Sequence, residues 1–162
     1  MLDWGTIQSS AEKVFFEAML DGWVGGENKK SIITESPDGY TTFEFTSGCF
    51  RVADRYCTTR HSTYSAGTTT IFYQNNPVWW MSYGGFYPEH LIPFLWKALK
   101  QQYDKRVFRG GRGPASLVFE DYLYLNSRVS GNFTKFKGRE EIIDMRNGSL
   151  SGYHEYWGMS LI

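Results

Sequence analysis

From about residue 40 the chain is written in short runs whose apolar side chains fall at alternate positions, and Gly, Asn and Pro separate the runs. A period of two is what a half-buried strand requires, and those separators are the residues tight turns require. Strands are expected at 40–46, 49–57, 67–74 and 77–84, then at 117–120, 122–128, 138–145 and 151–158. "QNNP" and "MRNG" supply hairpin turns. Two helical stretches interrupt the pattern. Ser9 and Glu12 have capping-box spacing ahead of Val14, Phe15, Ala18 and Met19, which predicts a helix over 9–21 closed by Gly22. Leu91, Ile92, Leu95, Ala98 and Leu99 share one helical face, predicting a second helix over 89–102, with Pro93 tolerable if the helix proper begins near Ile92.

The two halves echo each other. "PVWWMSYGG" (77–85) returns in looser form as "GYHEYWGMS" (152–160), and "FRVADR", "GTTTIF" and "WWMSYG" match "YLYLNS", "GREEII" and "YHEYWG" at offsets of 72, 71 and 74. The expectation is an α+β fold in one domain, 1–162, built from duplicated helix plus antiparallel β-meander units (about 9–86 and 87–162) packed with pseudo-twofold symmetry.

Bulk properties narrow the function. Aromatic residues make up 18% of the chain, so rings dominate the core and the walls of any pocket. Seventeen basic and seventeen acidic residues cancel, and non-specific nucleic-acid binding is disfavoured. Cys49 and Cys57, on one extended segment, lie too far apart to bridge and read as free thiols of a reducing compartment. No run of about 20 apolar residues and no leader pattern is seen, so a cytoplasmic protein without a membrane partner is expected.

The segments "GWVGGENKK", "PVWWMSYGG", "PFLWKAL", "FRGG", "FKGREEI" and "YHEYWGMSLI" together resemble a bacterial domain family of unknown function that occurs alone or behind helix-turn-helix regulators of the XRE type. The likeness spans about residues 15–162. Where that family tends to have Arg-Gly-Pro this chain has Arg109, Gly110, Gly111, and where its first half carries Gly-x-Glu this chain has Gly67, Thr68, Thr69. Before residue 22 there is room for one helix, not a helix-turn-helix. The resemblance implies a sensor-like role.

Three sets of residues are candidates. Strand alternation sends Trp79, Met81 and Tyr83 to one face, and the repeat alignment places Tyr153, Glu155 and Trp157 with them. Such a face is either the core between two meanders or the wall of a pocket for a planar ligand, and a carboxylate among rings favours ligand contact. "KRVFRGGRG" (105–113) holds four positive charges and three glycines: a solvated connection, or an anion-binding concavity in which Arg109 and Arg112 grip an acid group. Glu140 and Glu155 would serve acid/base hydrolysis if they converged. His61, His90 and His154 have no metal-ligand spacing, and no nucleophile elbow is present. The reading is a non-catalytic small-molecule-binding or sensing domain, without cofactor, for a small planar or anionic ligand. The alternatives are an inhibitor that blocks another macromolecule through a protein interface, and a glutamate-dependent hydrolase.

Overall fold

A computed structural model describes residues 3–24 and 30–162. Residues 25–29 of the glycine-rich segment "GWVGGENKK" lie outside the described residues. Helix α1 runs Trp4–Gly22, and the strands follow as β1 (Ile32–Glu35), β2 (Tyr40–Ser47), β3 (Phe50–Thr58), β4 (Tyr64–Tyr73) and β5 (Asn76–Phe86). A 3-10 turn at Glu89–Leu91 leads into α2 (Ile92–Lys105), then β6 (Ser116–Phe119), β7 (Tyr122–Leu125), β8 (Ser130–Asn132), β9 (Lys135–Asp144) and β10 (Ser149–Ser160). The fold is α+β, mainly antiparallel sheet with two helices.

The helix starts differ from expectation for a local reason. Asp3 caps α1, accepting from the Gly5 N–H at 3.1 Å and the Thr6 hydroxyl at 2.5 Å, so the helix begins well before Ser9 and buries Ile7 with Ala11, Val14, Phe15, Ala18 and Met19. Pro93 falls in the first turn of α2, where its missing N–H breaks no bond. Gln74 and Asn75, at φ of 47° and 65°, form the two-residue turn between β4 and β5.

The ten strands make a single sheet in the order β1-β2-β3-β4-β5-β10-β9-β7-β6, with β8 also paired to β9. The two meanders therefore do not enclose a core between them. Their final strands are hydrogen-bonded neighbours, with Tyr83 opposite Tyr156 and Met81 opposite Gly158, and the core lies between one sheet face and the two helices. Phe15 of α1 packs on Trp79, Tyr103 and Phe108, and Trp79 stacks on Phe133 and Phe136. No helix among the described residues is long and apolar enough to cross a membrane.

Candidate functional site

The connection after α2 is buried over residues 110–114. Arg106 ends the helix in the left-handed region, and Gly110 and Gly111 follow at φ of 63° and 67°. A Cβ on Gly110 would sit 2.4 Å from the Tyr156 ring, so only glycine lets the segment lie against the sheet. A buried loop must satisfy its own backbone. Asn126 does much of this: its side-chain N–H groups donate to Gly113 O (2.9 Å) and Arg109 O (3.3 Å), while its Oδ1 accepts from the Tyr156 hydroxyl at 2.5 Å. The loop in turn aims Arg112 into the interior.

Arg112 meets Glu140 there. Its Nε donates to Glu140 Oε1 at 2.9 Å, its Nη2 donates to the same oxygen, and the Tyr124 hydroxyl donates to Oε2. Burial alone pushes the Glu140 carboxyl up, but the guanidinium charge and these hydrogen bonds outweigh it and hold the group ionised below the usual carboxylate range. His154 stacks its ring near Tyr83 and edge-on to Tyr87, with Nδ1 3.5 Å from Arg112 Nη2 and Nε2 3.2 Å from Ser65 Oγ. Burial, and then the charge of Arg112, depress its pKa to about 4, so the imidazole is neutral.

A second buried carboxylate, Asp54, is 1% exposed on β3. It accepts from Trp23 Nε1 (3.0 Å), Thr69 Oγ1 (2.8 Å) and the Tyr83 hydroxyl (2.9 and 3.0 Å). No cation among the described residues is in contact with it, and burial raises its pKa to about 6 against the pull of those three donors and of the more distant Arg112 charge.

These groups lie along one side of a cavity of about 580 Å³ between α2 and the sheet. Trp23, Tyr56, Tyr83, Tyr87, Trp96 and Tyr103 give it aromatic walls, Arg112, His154 and Ser65 supply the polar groups of its floor, and the hydroxyls of segment 58–63 with Glu89 line its exposed rim. The volume falls in the range of ordinary ligand pockets. The Tyr87 hydroxyl, on a residue 6% exposed, makes no hydrogen bond of normal geometry, and the nearby Glu140 carboxylate adds to burial in holding its pKa well above the usual value. A groove of about 670 Å³ crosses the opposite sheet face beside Trp157, Lys137 and Arg128, but it is wider open and has no buried polar group aimed into it.

The nine residues singled out from sequence separate into four places. Tyr83 and Arg112 line the cavity, and Glu140 lies behind Arg112. Trp79 and Met81 are core, the Trp79 indole donating to Phe133 O at 2.8 Å. Arg109 is tied to Asn126 O at 3.1 Å and does not reach the cavity. Tyr153, Glu155 and Trp157 point to the other face of the sheet, with Trp157 49% exposed and Glu155 paired to Arg139 at 2.8 Å. The alignment offset for β10 was wrong by one position, because cross-strand partners share a face and Tyr156, not Trp157, is opposite Tyr83. Glu140 and Glu155 consequently lie on opposite sides of the sheet and do not converge on one cleft.

Sequence reasoning missed Asp54, Tyr87, Tyr124, Asn126 and His154. For Asp54 a signal existed: it follows Phe50 and Val52 at the inward positions of β3, an acidic residue on an apolar face. Among the described residues no three of His, Cys, Asp and Glu gather as a metal site would require. The same core strands and cavity floor, β3 from Asp54 through β10, are what a family model matches over residues 54–159. The chain belongs to the family described as a domain of unknown function (DUF5680). No curated protein and no solved structure matches it. In this DUF5680 chain the matched segment contains Arg112, Glu140 and His154 as well as α2, while α1 with Trp23 lies ahead of it.

Proposed function

We propose that the chain is a non-catalytic small-molecule-binding or sensing domain whose ligand occupies the cavity between α2 and the sheet. The observation that carries this is the Tyr87 hydroxyl, buried on the cavity wall near Arg112, Glu140 and His154 and without a hydrogen bond of normal geometry. Leaving such a group without an acceptor costs about 1 to 3 kcal/mol, which a ligand oxygen or nitrogen would recover. The aromatic walls favour a planar molecule. Of the arginine-glycine loop only Arg112 is offered to it, so that residue is the contact for an acid group or other acceptor.

A cytoplasmic sensing role of the kind attached to XRE-type regulators in bacteria follows from the sequence resemblance. Descent from a doubled helix-plus-meander unit is part of this reading, and the antiparallel pairing of β5 with β10, the last strand of each meander, is what favours it. Native mass spectrometry of the purified protein, with thermal shifts across a metabolite panel, tests the binding reading. A retained or stabilising small molecule is expected, and Ser65→Phe, which fills the cavity, should abolish it; persistence of the same binding in that variant would refute the assignment.

A second reading has its own observation. Trp157 and Met159 stand exposed beside Trp80 on the opposite face. A module that blocks a macromolecule would use that surface, and Trp157→Ala would then remove its activity without touching the cavity.

A further inference from the structure

The chemistry of the cavity floor restricts what it can hold. A guanidinium has donors only, so between Arg112 Nη2 and His154 Nδ1, 3.5 Å apart, the imidazole nitrogen is the acceptor. The ring is neutral, and its proton is therefore on Nε2 and donated to Ser65 Oγ at 3.2 Å. That leaves the hydrogen of the Ser65 hydroxyl unused. The Tyr87 hydroxyl makes no hydrogen bond of normal geometry, and Arg112 Nη1 makes no hydrogen bond with any described residue. By contrast, the Tyr83 and Tyr124 hydroxyls are spent on Asp54 and Glu140. The floor thus presents free hydrogens from Tyr87, Ser65 and Arg112, while the two buried carboxylates nearby already accept from other side chains and only hydroxyl oxygens remain as acceptors.

Charge narrows the choice further. The positive charge of Arg112 is matched by Glu140 in direct contact. Asp54 adds a negative charge one hydroxyl behind the wall at Tyr83, and Glu89 adds another at the exposed rim. His154 contributes none, and no other Lys or Arg among the described residues lines the cavity. An anion entering here gains an arginine that is already neutralised and meets an unpaired buried carboxylate. An ammonium group would find only neutral hydroxyl oxygens to accept from it on the floor, next to the guanidinium of Arg112.

We infer that this cavity selects an uncharged planar ligand carrying a carbonyl or equivalent acceptor, which the Tyr87 hydroxyl and Arg112 Nη1 hold while aromatic rings enclose the plane. The inference rests on the cavity being the binding site and adds the class of ligand. It replaces the anionic group suggested by the loop sequence alone.

Three probes of one shape separate these possibilities: 2-naphthamide, 2-naphthoate and 2-naphthylmethylammonium, each titrated by calorimetry up to its solubility into the full chain, Tyr87→Phe and Ser65→Phe. The amide is expected to bind at least about tenfold more tightly than either ion. Tyr87→Phe should weaken the amide about tenfold, the equivalent of one hydrogen bond, and should weaken the ammonium less. Because the removed hydroxyl makes no hydrogen bond of normal geometry, that variant should melt no lower than the parent. If 2-naphthoate binds as well as the amide, or if Tyr87→Phe leaves the amide unaffected, the uncharged-acceptor inference is overturned while the cavity remains the site. If none of the three binds the parent chain, or Ser65→Phe binds the amide as the parent does, the cavity reading falls as well.

Discussion

At the scale of single residues, the interior holds two carboxylates and treats them differently. Glu140 has a guanidinium in contact and is held ionised; Asp54 has three neutral donors and is pushed up to about 6. Hydrogen bonds alone do not offset the burial of a charge. The consequence for stability has a definite sign. Between about pH 4 and pH 6 the folded chain keeps a proton on Asp54 that the unfolded chain has lost, so this group makes the fold less stable as pH rises. His154 works the other way. Its folded pKa of about 4 lies below the ordinary 6.5, so its contribution is fully present above pH 6.5 and is lost as pH falls. The two tendencies oppose each other across one window. Asp54→Asn removes the first and leaves the second. In urea denaturation at a series of pH values, the variant should gain on the parent by about 3 kcal/mol between pH 4 and pH 6, the equivalent of the Asp54 shift. Parallel curves for the two proteins would show that Asp54 is not the buried proton site.

At the scale of elements, most strands were legible because alternation and turn residues agree, as at Gln74–Asn75 between β4 and β5. The phase of β10 was not. Aromatic residues occupy both of its faces, Tyr153 and Trp157 on one and Tyr156 on the other, so alternation alone cannot say which set is inside. Its glycines could have: a Cβ on Gly158 would come within 2.5 Å of the Phe136 ring, and one on Gly152 within 2.4 Å of Tyr87, which marks 152, 154, 156 and 158 as the packed face. Short β1 and β8 escaped because four and three residues carry too little pattern. The cavity itself was beyond the sequence, since Arg112, His154 and Ser65 meet only through long-range pairing. One element carries an avoidable cost. Arg106 closes α2 at φ 53°, a conformation that disfavours any residue with a Cβ, and its one ion pair among the described residues is a partly exposed contact to Glu17 at 4.0 Å. Arg106→Gly should therefore raise stability by about 0.5 to 1 kcal/mol despite losing that contact. Chemical denaturation decides it, and a loss of stability would mean that the Arg106 side chain matters more than its backbone.

At the scale of the whole molecule, the pairing of β5 with β10 makes the two halves one sheet and places the seam at its centre. The cavity also straddles that seam: Tyr56 and Ser65 come from the first half, Arg112 and His154 from the second. A domain whose halves folded independently could open at the seam and lose the cavity without unfolding. This architecture argues against such opening, because both seam strands are hydrogen-bonded on either side and their inward residues Trp79, Met81 and Tyr156 are buried in the shared core. Amide exchange in the native state should accordingly find the β5 and β10 amides slowest, exchanging only with global unfolding and with one common free energy. The sheet-edge strands β1 and β6 and the short β8 should exchange through local opening, since they are short and largely exposed. Distinct free energies for β4–β5 and for β9–β10 would mean two separable units, and the cavity between α2 and the sheet would then be transient where a fixed site is required.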